Sequence, residues 1–192
     1  MMKYYIIFGP PGAGKGTHGV VLAKELNLRH ISTGELLRAE IAAGTELGKQ
    51  AGALIEKGCL VPDSLVEGII KEAFESTSGV DGFLLDGFPR TLAQAKDLDA
   101  ILVERGEEVT AIIGLVVSEQ TIRDRITKRA AIEGRADDAD DEIISNRIRT
   151  YHEQTEPIIE YYSAAGKYHE IDVDHGDIAE NRRRVMDLAE RL

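Results

Sequence analysis

Short apolar runs alternate with longer helical patterns along the chain. Five runs predict strands, at residues 4–8, near 30–31, 83–85, 111–117 and about 168–171. They are apolar throughout rather than alternating, which is typical of strands buried on both faces of a parallel sheet. A first helical pattern follows at about residues 14–26, and strand and helix then repeat. This order predicts an α/β fold with a doubly wound parallel sheet of five strands.

A long helical stretch, residues 33–76, separates the second and third predicted strands. It is longer than a single crossover helix needs. Its breaks at Gly44, Gly58 and Pro62 predict three helices. Because the carboxyl ends of parallel strands carry the ligand sites of such folds, we expect a small substrate-binding subdomain here rather than padding.

Composition restricts the class of protein. The chain has 192 residues, of which 43% are hydrophobic and 30% charged, as expected for a soluble globular protein of one domain. Its 34 acidic side chains outnumber 23 basic ones, and the formal charge of -11 argues against a broad surface for nucleic acid or anionic membranes. An anionic ligand would therefore need a local cluster of cations.

The single cysteine, Cys59, excludes an intrachain disulfide and suits the reducing cytoplasm. The apolar start at residues 4–8 is too short for a signal peptide, and the run at 111–117 is about a third of a membrane span. The histidines are scattered without the spacing of metal ligands. No long apolar stripe is left over for a partner subunit. We therefore expect a cytoplasmic monomer without a membrane partner.

A glycine-rich segment, GPPGAGKGT at residues 9–17, directly follows the first predicted strand. Its glycines let several backbone N–H groups point at one anion, the following helix adds its dipole, and Lys15 supplies a point charge. A chance glycine-rich turn would match this pattern in fewer than about 1 in 10⁴ segments. Gly16 stands where Ser or Thr normally holds Mg²⁺, and Thr17 follows it. We expect the metal to be held by other groups, through water.

The end of the third strand suggests a second ligand beside this loop. Asp86 lies at the strand end, where a carboxylate can order Mg²⁺ and its waters. Arg90 can bind a phosphate through two hydrogen bonds, and the Gln94 amide can read the edge of a base. The alternative is a turn with solvated polar residues.

The end of the second strand carries both a structural and a functional signal. Ser32 and Glu35 form a capping-box pattern, which explains the start of the next helix. It does not explain Gly34 and Arg38 at the mouth of the helical stretch. These two residues would serve a second anionic ligand.

Arginines accumulate after the fourth predicted strand. Arg125 and Arg129 are spaced i and i+4 and share a helix face. Arg135 follows a short connection at residues 130–134, and Arg147 begins another series. Isolated arginines on helices are usually solvated. Their concentration in an acidic chain favours phosphoryl transfer, which needs charge stabilisation more than a protein nucleophile.

Together these motifs resemble the adenylate kinase family. The similarity runs from residue 4 to about 172 and includes the loop at 9–17, the segment at 32–38, the sequence DGFPRT at 86–91 and the later arginines. The resemblance implies a P-loop kinase domain that reversibly transfers the γ-phosphoryl group of ATP to AMP with Mg²⁺, giving two ADP. Its partners would be these small molecules, with no nucleic acid.

The resemblance also implies roles for individual residues. Those expected to bind ATP are Gly12, Ala13, Gly14, Lys15, Gly16, Thr17, Arg125, Arg129 and Gly176. Those expected to bind AMP are Thr33, Arg38, Cys59, Leu60, Val61, Gly87, Phe88, Pro89, Arg90, Gln94, Arg135 and Arg147. The expected catalytic cations are Lys15, Arg90, Arg129, Arg135 and Arg147. The waters of Mg²⁺ would be ordered by Asp86, with Asp137 and Asp138 as further candidates.

The implied organisation is a single domain over residues 1–192. The core would comprise residues 1–31, 62–127 and 139–192, with an AMP-binding insert at 32–61 and a lid at 128–138. Five residues separate Arg129 from Arg135, which resembles the short-lid form of the family, without zinc. Insert and lid are expected to close on the nucleotides, because a water-filled site would hydrolyse ATP.

Two alternatives remain open. A uridylate/cytidylate kinase of the same fold would resemble Ala-Gly and Asn at the positions where this chain has Thr33-Gly34 and Gln94, so AMP is the expected acceptor. A nucleotide-binding switch or adaptor would use the phosphate loop without turnover. It would need neither Arg38 nor Arg90.

Overall fold

A computed structural model describes residues 2–135, 138 and 140–192. The strands in this part of the chain are β1 (Lys3–Phe8), β2 (Leu28–Ser32), β3 (Gly82–Asp86), β4 (Ala111–Val116) and β5 (Tyr168–Asp172). They form one parallel sheet in the order β2-β3-β1-β4-β5. The five predicted strands and the doubly wound α/β class are thus confirmed.

Helices cover both faces of the sheet and build the long insertion. In the described residues they are α1 (Lys15–Glu25), α2 (Thr33–Ala43), α3 (Glu46–Ile55), α4 (Asp63–Ser76), α5 (Leu92–Glu104), α6 (Glu119–Glu133), α7 (Asp141–Thr150), α8 (Pro157–Ala164) and α9 (Ile178–Ala189). A π-helical turn, Tyr151–Thr155, joins α7 to α8. The sheet therefore lies between two helical layers.

The two faces of the sheet belong to two hydrophobic cores. In β1, Tyr4 and Ile6 pack into one core with residues of α4, α5 and α8. The alternate residues Tyr5 and Ile7 pack into the other core, against α1 and α9. Each of these side chains is at most 1% exposed, and burial of one such side chain stabilises the fold by about 1.5–3 kcal/mol. This two-sided burial explains why the strands are apolar throughout.

The strand order fixes the position of the functional loops. The chain leaves β1 toward β2 and β3 on one side and later toward β4 and β5 on the other. Ile6 of β1 is in register with Leu85 of β3 and Ile112 of β4, so the carboxyl ends of these strands meet at one edge. A crevice at such a reversal of direction is where open α/β sheets bind ligands.

The insertion after β2 begins with two tightly packed helices. A Cβ atom on Gly48 of α3 would lie 2.1 Å from the carbonyl oxygen of Glu40 in α2, so a side chain there would prevent this approach. Gly44 ends α2 in the left-handed conformation, and Ser32 begins it by accepting a hydrogen bond from the Glu35 N–H at 3.4 Å. Three helices and the Ser32 cap were both predicted from the sequence, and both are confirmed.

One sequence prediction about the later helices was wrong. Residues 130–134 were expected to form a connection, but α6 continues through Glu133. Ala130, Ala131 and Glu133 are strong helix formers, and the helix stops at Gly134, which adopts the left-handed conformation with φ 60°. Part of the proposed lid is therefore the last turn of a long helix.

Among the described residues, no helix combines the length and the apolar composition that crossing a bilayer requires.

Candidate active site

The glycine-rich loop after β1 is pressed between β4 and α6. A Cβ atom on Gly9 (φ 146°) would lie 2.8 Å from the Leu115 carbonyl oxygen, and one on Gly12 (φ 79°) would lie 2.9 Å from Ile126 Cγ1. Gly14 precedes α1 and brings no side-chain acceptor, so the first-turn amides of this helix, which include those of Gly16 and Thr17, are available to a phosphate. Glycine is needed at positions 9 and 12 because a side chain would collide with its neighbours and because φ is positive at both.

Lys15 crosses this loop from the first turn of α1. Its Nζ donates to the carbonyl oxygens of Gly9 at 2.8 Å and Pro10 at 2.9 Å. Burial lowers the pKa of Lys15 to about 7, although the Asp86 carboxylate opposes that shift. Three guanidinium groups lower the pKa further, those of Arg90, Arg147 and Arg129. The site therefore concentrates positive charge and favours an anion that can compensate it.

The loop after β3 is fixed by hydrogen bonds to its backbone. Thr33 Oγ1 donates to the Gly87 carbonyl oxygen at 2.9 Å, and Arg90 Nε donates to the same oxygen at 2.8 Å. Thr155 Oγ1 donates to the Arg90 carbonyl oxygen at 2.7 Å. Gly87 has φ 81°, and a Cβ atom there would lie 2.7 Å from Thr33 Oγ1. Arg90 is thus held by the loop after β3 and by the π-helical turn, and it shares the Gly87 carbonyl oxygen with Thr33 of the insertion.

Gln94 is buried on the first turn of α5, and both ends of its amide are engaged. Its Oε1 accepts from the Arg90 N–H at 2.7 Å, and its Nε2 donates to Asp63 Oδ1 at 2.7 Å. Sequence reasoning missed Asp63, because an acid after Pro62 at a helix start has a sufficient structural explanation. It also assigned no role to Thr155.

One cleft unites most of the residues predicted to bind the acceptor nucleotide. It is lined by Thr33, Arg38, Cys59, Leu60, Val61, Gly87, Phe88, Pro89, Arg90, Gln94 and Arg147, and by Lys15 from the phosphate loop. Apolar walls come from Leu37, Ile55, Val66 and Tyr151. Two cations predicted to bind phosphate, Lys15 and Arg90, therefore line one cavity. The roles of these residues toward ATP and AMP stay predictions.

A buried carboxylate organises two of the predicted catalytic arginines. Arg129 donates to Asp138 twice, from Nε to Oδ2 at 2.7 Å and from Nη2 to Oδ1 at 2.8 Å, and Arg147 Nη1 lies 2.5 Å from Oδ1. Burial by itself raises the pKa of Asp138, but the two guanidinium groups outweigh it and hold the pKa below its ordinary value. Asp138 faces arginines, whereas Asp137, the other metal candidate of this segment, lies outside the described residues.

Arg125 connects the phosphate loop with the segment after β5. Its guanidinium donates to the carbonyl oxygens of Ala13 at 3.2 Å and Val173 at 2.7 Å. Gly176 lies farther along this segment with φ 88°, and a Cβ atom there would lie 2.8 Å from Glu180 Oε2. Its role toward ATP stays a prediction.

Arg135 forms an ion pair with Glu133, in which Nε lies 2.5 Å from Oε2. The proposed place of Arg135 beside the transferred phosphoryl group stays a prediction.

Asp86 is the carboxylate best placed for a metal at the phosphate loop. It is 6% exposed, and its Oδ2 lies 3.4 Å from His30 Nε2 and 3.8 Å from the point where Gly16 would carry a Cβ. No group of three or more His, Cys, Asp or Glu side chains that could hold a metal occurs in residues 2–135, 138 and 140–192. Mg²⁺ often relies on one or two carboxylates together with phosphates and water, so a single carboxylate facing this loop fits it.

Comparisons with known proteins identify the family of this chain. The family model described as adenylate kinase matches residues 7–167, which is most of the chain. The chain belongs to the adenylate kinase family. The five-stranded parallel sheet and the loop after β1 are consistent with the P-loop fold of this family. The enzyme is therefore a phosphotransferase.

Relatives of the family match nearly the whole length. An adenylate kinase from Phocaeicola vulgatus is 46% identical over 170 residues, 88% of this chain and 89% of the relative. One from Stenotrophomonas maltophilia is 41% identical over 181 residues, covering 94% and 96%. One from Flavobacterium psychrophilum is 41% identical over 187 residues, covering 97% and 98%. The similarity therefore includes the insertion, the arginine-rich helices and both sides of the cleft.

Proposed function

We propose that the protein reversibly transfers the γ-phosphoryl group of ATP, bound with Mg²⁺, to AMP and so forms two molecules of ADP. The observation that carries this proposal is the shared cleft in which Lys15 and Arg90 face the same cavity. A switch that binds one nucleotide has no use for the second cation, whereas a kinase needs donor and acceptor phosphates side by side.

The cations supply most of the proposed chemistry. The pKa of Lys15 responds to the charges of Arg90, Arg129 and Arg147, so all four groups act on one region. Phosphoryl transfer spreads negative charge over the equatorial oxygens, and positive groups held in position stabilise that charge without reorganising. Asp138 holds Arg129 and Arg147 in such positions before substrate arrives.

The metal belongs to the donor nucleotide in this proposal. Asp86, at the end of β3, would hold Mg²⁺ through its water ligands, and the metal would supply positive charge against the phosphates of ATP. Gly16 brings no side chain into the space between the phosphate loop and Asp86, where a Cβ atom would lie 3.8 Å from Oδ2, in van der Waals contact with the carboxylate. Zinc plays no part in this proposal.

We propose that two parts of the chain, the insert and the lid, move during the reaction. The insert at residues 32–61 and the lid at residues 128–138 close over the cleft and exclude water from the transferred group. The insert already contacts the lid-side helix α7, because Asn146 Nδ2 donates to the Lys57 carbonyl oxygen at 2.7 Å. A monomeric enzyme in the cytoplasm remains the expectation from the composition and the single cysteine.

An acceptor assay tests the function directly. With Mg²⁺ and ATP, the purified protein is given equal concentrations of AMP, UMP and CMP, and the three diphosphate products are measured. We expect AMP to be used fastest. Faster use of UMP or CMP would support the uridylate/cytidylate kinase alternative, and binding of ATP without any diphosphate product would support the switch.

A further inference from the structure

The amide of Gln94 lies between two partners whose hydrogen-bonding roles are fixed. The Arg90 backbone N–H can donate but not accept, and it points at Gln94 Oε1 at 2.7 Å. The carboxylate of Asp63 can accept a hydrogen bond but has no hydrogen to donate, and its Oδ1 accepts from Gln94 Nε2 at 2.7 Å. Gln94 is 2% exposed, so water is a poor substitute for either partner.

These partners fix which end of the amide is oxygen and which is nitrogen. Turning the amide by half a turn would place its NH₂ group against the Arg90 N–H and its oxygen against the carboxylate of Asp63. Both contacts would be repulsive, and buried polar groups would lose their hydrogen bonds. The second lone pair of Oε1 and the second hydrogen of Nε2 therefore stay at set places beside the cleft that Gln94 lines.

Asp63 is itself anchored between two helices. It begins α4, and its Oδ2 accepts from Thr91 Oγ1 at 3.4 Å, while Thr91 caps α5. The residue is neither in the phosphate loop nor in the cleft lining, and it reaches the cleft through Gln94. Its position between α4 and α5 makes it a fixed support for the amide.

We infer that Asp63 is a positioning residue that sets base selectivity, because it holds the Gln94 amide in the orientation suited to a 6-aminopurine monophosphate. This inference rests on the proposed function, with AMP as acceptor and Gln94 beside its base. A 6-amino group donates a hydrogen bond, so it needs the free lone pair of Oε1. A 6-oxo group at the same place accepts a hydrogen bond, so it needs an N–H there. Only the opposite amide orientation would put Nε2 at that place.

The test compares AMP with inosine monophosphate, which carries a 6-oxo group in place of the 6-amino group. The measured quantity is the ratio of kcat/KM for the two acceptors, with Mg²⁺ and ATP saturating. The main variant is Asp63→Asn, which has the same shape but can donate as well as accept. Asp63→Ser is a second variant, because serine also suits a helix start, and Glu46→Gln is the matched control. Glu46 is an exposed acid in the first turn of α3.

We expect Asp63→Asn and Asp63→Ser to lower the AMP preference about tenfold, the scale of one neutral hydrogen bond. The change should be in the two KM values, with kcat for AMP nearly unchanged, and Glu46→Gln should keep the wild-type ratio. A loss shared equally by both acceptors would mean a purely structural role and would overturn the inference, as would an unchanged ratio in both variants.

A double-mutant cycle identifies the route of the effect. In a Gln94→Leu background, Asp63→Asn should leave the acceptor ratio unchanged, because the amide that it orients is gone. A further loss of selectivity in that background would show that Asp63 acts through another group and would overturn the inference. Failure of the proposed function looks different: the wild-type protein itself would not favour AMP over UMP and CMP.

Discussion

The proposed acceptor side of the cleft (Thr33, Gly87, Arg90 and Gln94) and the proposed lid side (Arg147 in the cleft lining, joined through Asp138 to Arg129) hold their functional groups differently. On the acceptor side, directional hydrogen bonds engage backbone atoms, such as Thr33 and Arg90 on the Gly87 carbonyl oxygen. On the lid side, two arginines share the Asp138 carboxylate. Hydrogen bonds fix atoms in place, whereas phosphate oxygens can replace a carboxylate as the partner of a guanidinium.

This difference suggests a division of work between the two sides. The acceptor side has the rigidity to distinguish one base and one phosphate position from another. The lid side holds two arginines in position, and their guanidinium groups can exchange the Asp138 carboxylate for the oxygens of the transferring phosphoryl group. The following predictions test this division, from the largest expected effect to the smallest.

Removal of Arg90 should have the largest effect. Arg90→Ala deletes a cation that lines the cleft with Lys15 and is proposed to bind the acceptor phosphate, and we expect kcat/KM for AMP to fall about 10²- to 10³-fold, as for the loss of one charge-stabilising donor. Steady-state kinetics with varied AMP give the value. Arg183→Ala, an exposed arginine of α9, is the control and should behave as wild type. An unchanged kcat/KM for AMP in Arg90→Ala would refute the role.

Neutralising the Asp138 carboxylate should lower the stability of the fold. The side chain of Asp138 is 0% exposed, and Asp138→Asn leaves two arginines with reduced compensation. We expect the free energy of unfolding to fall by about 2 kcal/mol, below the cost of fully breaking a buried pair. Chemical denaturation gives this quantity, and Asp124→Asn, an exposed acid on α6, is the control.

The lowered pKa of Asp138 adds a pH dependence to the same experiment. A carboxyl with a lower pKa in the folded state contributes stability above its unfolded pKa of about 3.9, and that contribution is lost as pH falls through the folded value. The wild-type protein should therefore lose stability below about pH 4 more steeply than Asp138→Asn. Equal slopes would contradict the ion-pair assignment.

Lys15 should take up protons when ATP binds. Its pKa is about 7 in the unliganded site, and phosphate charge favours the protonated form. Binding at about pH 8 should therefore consume part of a proton, and the affinity for ATP should fall as pH rises above 7. Calorimetry in two buffers of different ionisation enthalpy measures the uptake. Lys15→Met should abolish it, Lys24→Met should retain it, and uptake that persisted in Lys15→Met would assign the proton elsewhere.

Loss of the hydrogen bond between the insert and α7 should have the smallest effect on the kinetics. Asn146→Ala removes the hydrogen bond to the Lys57 carbonyl oxygen, and we expect a rise of about threefold in KM for AMP because the open cleft becomes more populated. Solution scattering should show a larger particle than wild type before substrate and a compact one with a joined ATP–AMP mimic. Glu142→Gln, exposed on α7, is the control. Failure of the mimic to compact the protein would count against closure.

Local patterns in the sequence were sufficient for most of the fold. The apolar runs predicted all five strands, and the glycine and proline breaks predicted the three helices after β2. The error at residues 130–134 arose because short alanine-rich segments suit helices, and the stop at Gly134 was not used as the boundary. The phosphate loop was predictable because its glycines satisfy local steric demands, as at Gly9.

Partners far apart in sequence could not be predicted in the same way. Gln94 and Asp63 are 31 residues apart, and Thr155 reaches the Arg90 carbonyl oxygen from 65 residues away. Neither contact leaves a periodic signal, because each depends on how α4, α5 and the π-helical turn pack. Asp138 was a further candidate for ordering the metal waters, which stays a prediction, and its ion pairs with Arg129 and Arg147 leave no signal in the sequence.

The sequence by itself thus determined the strands, most helices and the kinds of chemical groups available, since these depend on nearest neighbours and on burial periodicity. The tertiary structure decided which groups meet: which carboxylate holds Arg129 and Arg147, and which one orients Gln94. The physical reason is that a hydrogen bond or ion pair needs its two atoms within about 3 Å, and only the packed chain sets that distance.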